Sequence, residues 1–200
     1  MKIPRVSIVV THHGGIDALE ESISSLLRQT LEEWELLCIY HTSGKAYNGK
    51  AAADIRVRSI RAAYRDHSGC AHVGLQAAHA PYVLFLEEGD TLAPQALEEM
   101  YRAMEHSSHH ALIPFAPGED IPAPWGRLYR RESICHKRWH VSLDGYRAPT
   151  QWACKAEALP NSLYFHREKG SSTARRLNES EHIFAAYLHE VFNTLCRRAV

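Results

Sequence analysis

The stretch Pro81-Tyr-Val-Leu-Phe-Leu-Glu-Glu-Gly-Asp90 decides how this chain is read. Residues 82–86 are continuously apolar, the pattern of a strand buried on both faces in a parallel sheet. The run stops at Glu87, Glu88 and Asp90, three carboxylates around a glycine. In open α/β sheets ligands bind beyond the carboxyl ends of the strands, and hard oxygen donors there suit a divalent cation holding a phosphate-bearing substrate. The same acids also suit a solvated turn leading into the helix that begins near Pro94. The segment alone leaves both uses open.

Working outward, Val6 to Thr11 is another apolar run, rich in β-branched residues, and a further strand is expected from about Trp34 to Tyr40. Between them Leu19, Ile23, Leu26 and Leu27 recur at helical spacing, with Asp17 placed to favour the positive end of that helix. A shorter strand is expected around Ile55 to Ile60, a helix over Ala71 to Ala80, a helix from Pro94 to about His106, and a strand over Ala111 to Phe115. Alternating strands and helices predict an α/β fold with a mostly parallel central sheet and helices on both faces. The proline-rich piece 116–124 separates a first half, 1–115, from a smaller second half, 125–176. Asn178-Glu-Ser-Glu181 has capping-box spacing, and the apolar stripe Ile183, Phe184, Tyr187, Leu188, Val191, Phe192 and Leu195 predicts an amphipathic helix over 178–198. That stripe suits core packing or a homodimer contact better than a membrane anchor.

Two hundred residues suffice for one sizeable core, so a single domain is the expectation. With 23 basic and 23 acidic residues the formal net charge is zero, which argues against nucleic acid as a partner. The five cysteines are scattered without C-x-x-C spacing and point to reduced thiols in a cytoplasmic protein. The apolar run near the start is too short for a signal peptide, and no window approaches the ~20 apolar residues that span a bilayer.

Three segments resemble the family 2 glycosyltransferases of GT-A fold: residues 4–40, the centre from Gly74 to Leu92, and the pair Gly126-Arg-Leu-Tyr-Arg-Arg-Glu132 and Leu163-Tyr-Phe-His-Arg-Glu-Lys-Gly-Ser-Ser-Thr173. The resemblance implies the nucleotide-diphospho-sugar transferase fold and a nucleotide-sugar donor. It further implies a glycan or lipid-linked acceptor, a divalent cation such as Mg²⁺ or Mn²⁺, and inverting transfer, with peripheral contact at the inner membrane face for lipid-linked acceptors. Glu87 stands where the family has the first aspartate of its metal motif, Gly89 where it has the next, and Asp90 follows. One ligand is thus lengthened and one lost, which bears on Mg²⁺ because that ion demands tight octahedral geometry. Glu87 and Asp90 are the expected metal ligands.

The resemblance assigns Thr11, His13, His41, His72, Glu87, Arg167 and Lys169 to the nucleotide-sugar site. Departures fall there: His41 replaces an aspartate expected to read the base, and Ala71 an arginine expected to meet phosphate. His12 or His13, His41 and His72 could converge on Glu87 and Asp90 as an imidazole–carboxylate site for a transition ion, or bond base and ribose as neutral rings, or mark a disused donor site. The basic run Arg167, Lys169, Arg175 and Arg176 offers charge for a leaving diphosphate. An inverting transfer needs a carboxylate base for the acceptor hydroxyl. The resemblance implies that it comes from an acidic pair, usually Glu-Asp, lying roughly twenty residues before the family's Tyr-x-x-Arg segment. Counting back from Tyr164 therefore gives Asp144, while Gly118-Glu-Asp120 matches the pair's letters out of order and makes Asp120 the alternative. Trp125, Trp139, Tyr146 and Trp152 supply flat rings for stacking on sugars or for packing. A chain that keeps this fold but has lost turnover would instead be a binding or regulatory module.

Overall fold

The computed structural model describes residues 2–12, 15–41, 43–63, 67–113, 125–135, 140–142, 145–147, 156–159, 163–165 and 167. These fall within one compact unit ending at Arg167. The expected helix over 178–198 and the proline-rich segment lie outside the described residues. In chain order the elements are β1 (Val6–His12), α1 (Ile16–Leu27), β2 (Trp34–His41), β3 (Val57–Ala62), α2 (His67–Ala77), β4 (Tyr82–Leu86), β5 (Thr91–Leu92) and α3 (Ala96–His106). There follow β6 (Ala111–Ile113), β7 (Leu128–Arg130), α4 (Arg131–Cys135), β8 (His140–Ser142), β9 (Gly145–Arg147), β10 (Ala156–Ala158) and β11 (Tyr164–Phe165).

Seven strands form the central sheet in the order β10-β6-β7-β4-β1-β2-β3. The core four run parallel, with Val6 opposite both Trp34 and Tyr82 and Leu36 opposite Val57. Every residue of β1 and β4 is buried, as two-sided coverage requires. Each fully buried Val, Leu or Ile in these strands contributes about 1.5–3 kcal/mol through area removed from water. The chain moves from β1 through β2 to β3 and then returns to lay β4 on the other side of β1. Right-handed crossovers place α1 and α2 on opposite faces, and the crevice beyond β1 and β4 is the switch point where such sheets take ligands.

Some boundaries differ from the sequence expectation, each for a local reason. The helix α2 starts earlier than expected, at His67, and ends at Ala77 because Ala80 precedes Pro81 and that position disfavours helical backbone. The helix α3 starts at Ala96, because the Pro94 carbonyl is used by the Thr30 N–H at 2.9 Å. The strand β7 was not expected. It inserts antiparallel between β4 and β6 after Gly126, whose φ of +65° makes the turn, and buries Leu128 and Tyr129. Part of the expected second half is therefore built into the central sheet.

Two polar staples close the ends of the layers. Arg130 sends its guanidinium to the carbonyls of Met104, Ser107 and His109, satisfying groups that the end of α3 leaves open. At the amino ends of the strands, the Glu35 carboxylate accepts from the Ser7 hydroxyl at 2.7 Å, the His79 N–H at 2.8 Å and Arg58 at 3.3 Å. Burial raises the Glu35 pKa, but the His79 N–H, the Ser7 hydroxyl and the His79 ring together more than offset it, so the net shift is downward. Among the described residues no helix is long and apolar enough to cross a membrane.

Candidate active site

Three strands deliver the expected residues to one end of the sheet: Thr11 and His12 close β1, His41 closes β2, and Glu87 follows β4. The turn after β4 is closed by the Asp90 N–H donating to the Glu87 carbonyl at 3.1 Å, and Gly89 adopts φ +100°, which side chains rarely tolerate.

This acidic turn is held by the polar side of α1. Ser22 accepts from the Gly89 N–H at 2.9 Å, and Ser25 accepts from the Leu92 N–H at 3.2 Å. Gln29 donates to the Ala93 carbonyl at 2.8 Å and accepts from the Leu97 N–H at 3.0 Å. The last bond caps α3, whose own N-cap residue Gln95 makes no side-chain bond. Ser22, Ser25 and Gln29 are all buried. Sequence reasoning missed them, although polar residues set into the buried stripe of Leu19, Ile23 and Leu26 are a usable signal, since a buried hydroxyl or amide must find a partner.

Asp90 is 1% exposed and has a use other than the one expected. Its Oδ2 accepts from the Tyr164 hydroxyl, and its Oδ1 accepts from the Arg167 backbone N–H at 2.8 Å. Burial and the facing carboxylate push the Tyr164 phenol above its ordinary pKa. With β11 paired antiparallel to β5, these bonds seat residues 163–165 and 167 against the acidic turn. Tyr164 in turn lies against Gly126, where an added Cβ would sit 2.9 Å from the ring.

The histidines do not assemble as an ion site among the described residues. His12 Nδ1 lies 3.1 Å from Glu88 Oε1, with side chains 7% and 12% exposed, so its partner is the middle carboxylate of the turn. His41 accepts the Ser43 N–H on Nδ1 at 3.1 Å. A backbone N–H only donates, so the neutral ring carries its proton on Nε2. His72 sits half-buried on α2, where burial lowers its pKa and favours the neutral ring. Among the described residues no group of three His, Cys, Asp or Glu is placed to hold a metal ion. Asp90, one of the two expected ligands, turns its two carboxylate oxygens to Tyr164 and Arg167. That donor set does not fit an octahedral ion well.

Arg167 reaches back from the seated segment and donates through Nη1 to Glu21 on α1 at 2.8 Å. Trp125 packs in the core, edge-on to Phe85 at 6.2 Å between centroids. His13, Asp120, Asp144, Trp139, Trp152, Lys169, Arg175 and Arg176 lie outside the described residues. Tyr146 is placed on β9 by its backbone.

Comparison with known proteins agrees with this architecture. The profile of glycosyl transferase family 2 matches residues 7–195. The chain belongs to that family. It is 30% identical over 109 residues to EpsJ of Bacillus subtilis strain 168, an uncharacterized glycosyltransferase, covering 52% of this chain and 32% of that protein. It is 27% identical over 116 residues to TarP of Staphylococcus aureus strain N315, a poly(ribitol-phosphate) β-N-acetylglucosaminyltransferase, covering 54% of this chain and 36% of that one. The chain thus spans about a third of the length of these relatives. Among solved structures, S. aureus TarS residues 1–349 with UDP-GlcNAc superposes with a TM-score of 0.62 at 14% identity, over 84% of this chain and 59% of that one. A mannosyltransferase from Pyrobaculum calidifontis with GDP-Man and Mn²⁺ gives 0.61 at 13% identity, over 85% and 59%. At such identities the structural likeness speaks to fold, and it supports the GT-A assignment.

Proposed function

We propose that this chain transfers a sugar, with inversion, from a nucleotide-sugar donor to a hydroxyl of a glycan or lipid-linked acceptor. The observation that carries this reading is the acidic turn at the switch point of the sheet, in a family 2 chain, with Ser22 and Ser25 of α1 and Gln29 just past its end holding the turn and the segment that follows it. The solved relatives with UDP-GlcNAc and GDP-Man are the precedent for the donor class.

In this reading Thr11, His13, His41 and His72 surround the nucleotide, and Glu87 faces the diphosphate end. Asp144, with Asp120 as the alternative, takes the proton from the acceptor hydroxyl as its oxygen attacks the anomeric carbon and the nucleotide diphosphate departs. Arg167 and Lys169 supply positive charge to that leaving group. The Mn²⁺ of the P. calidifontis enzyme is the precedent for a cation beside Glu87. Because the described donors do not fit an ion well, no step is assigned to it.

The test is release of nucleotide diphosphate from a panel of UDP-, GDP- and CDP-sugars with Mg²⁺ or Mn²⁺ and glycan acceptors. Turnover with any donor supports the proposal. Donor binding without release across the panel marks the chain as a binding module.

A further inference from the structure

The space beside Gly89 is filled by a residue from far along the chain. A Cβ built on Gly89 would lie 2.6 Å from Arg167 Cδ and 3.4 Å from Arg167 Nη1. The Arg167 side chain, its Cδ foremost, therefore occupies the volume into which any side chain at position 89 would project, with the guanidinium beside it. Three further contacts put it there: the Arg167 N–H on Asp90 Oδ1, the Tyr164 hydroxyl on Asp90 Oδ2, and the pairing of Phe165 with Thr91. A glycine at 89, a buried aspartate at 90 and a buried tyrosine at 164 are together a seat for one arginine at the rim of the acidic turn.

Among the described residues the guanidinium pairs with Glu21, and the two side chains are 46% and 56% exposed. An ion pair that exposed is weak, whereas a guanidinium meeting a diphosphate makes paired, charge-assisted bonds. We propose that Glu21 parks Arg167 in the ligand-free protein and that a diphosphate displaces Glu21 to take the guanidinium, with Asp90 and Tyr164 as positioning residues. This rests on the nucleotide-sugar reading above, and adds which residue meets the phosphates and what it must leave. It also gives Asp90 a duty that requires no metal. The glycine at 89 then makes room for a protein cation at the turn.

The probe is inorganic pyrophosphate, which carries no base or sugar, titrated calorimetrically into the full chain in EDTA at low ionic strength. Wild type is expected to bind. Arg167→Ala should lose at least tenfold in affinity, and Glu21→Gln, an exposed substitution, should gain about threefold or more. Tyr164→Phe should weaken binding in the wild-type background and change nothing further in the Arg167→Ala background, which a merely structural role would not produce. Unchanged or weaker binding by Glu21→Gln, or wild-type affinity in Arg167→Ala, overturns the proposal. Donor turnover measured in parallel separates the two readings. Turnover without this order of affinities sinks the parking scheme alone, and the order without turnover sinks sugar transfer alone.

Discussion

Replacing Gln29, just past the end of α1, by alanine should destabilise the fold markedly for a single polar side chain, because that amide serves two buried backbone groups at once. The Leu97 N–H loses its acceptor at 3.0 Å and the Ala93 carbonyl its donor at 2.8 Å, and the residue is 8% exposed. A buried backbone group left without a partner costs about 1–3 kcal/mol, and loss of a helix cap falls within the same range. Allowing for water entering the vacated space, Gln29→Ala should cost about 2–4 kcal/mol. With a urea slope of about 3 kcal/mol/M, the unfolding midpoint falls by about 1 M. Gln95→Ala is the matched control, since Gln95 occupies the N-cap position of α3 yet makes no side-chain bond there. It should cost less than about 0.5 kcal/mol. Urea unfolding followed by circular dichroism and by tryptophan fluorescence measures both. Equal losses in the two variants, or a negligible loss in Gln29→Ala, would refute the claim that Gln29 caps α3 and ties down the segment after the acidic turn.

Three other outcomes are expected. The pKa of Glu35 is lower in the fold than its ordinary value of 4.5, so its contribution to stability is full above that value and is lost as pH falls through the folded pKa; Glu35→Gln should flatten this acid limb in melting experiments between pH 3 and 6. Asp144→Asn should cut turnover by about 10²–10⁴ while donor affinity holds, and Asp120→Asn should leave turnover near wild type; the reverse result, read by nucleotide diphosphate release, moves the base to Asp120. Burial pushes the Cys38 thiol up to about 12, so mass spectrometry after iodoacetamide at pH 8 should find Cys38 unmodified in folded protein and alkylated after unfolding.

The central strands were legible because their signal is local. Tyr82–Leu86 is an unbroken apolar run, Val6–Thr11 and Trp34–Tyr40 are mostly apolar with Ser7, Thr11 and Glu35 among them, and α1 shows its stripe within twelve residues. The strand β7 has three residues and no periodicity, so nothing in Leu-Tyr-Arg distinguishes it from a loop until β4 and β6 are there to pair with it. The site divides the same way. That Glu87 and Asp90 stand at the end of a strand follows from where the apolar run stops. That Asp90 serves Tyr164, 74 residues away, depends on a fold-level encounter invisible to spacing. The histidines show the converse: their sequence positions suggested a cluster, and the fold sends His12 to Glu88, His41 to its own loop and His72 to a helix.

The way α1 grips the acidic turn separates the shape of that loop from its reactivity. Ser22, Ser25 and Gln29 touch main-chain atoms, which are the same whatever amino acid bears them. Substitution at 87 or 88 can therefore alter ligand chemistry while the loop keeps its course. Such an arrangement lets a lineage rewrite its acidic motif, as the Glu-Glu-Gly-Asp version suggests, without first inventing a new scaffold. It also recommends positions 87 and 88 as the place to graft a different specificity by design.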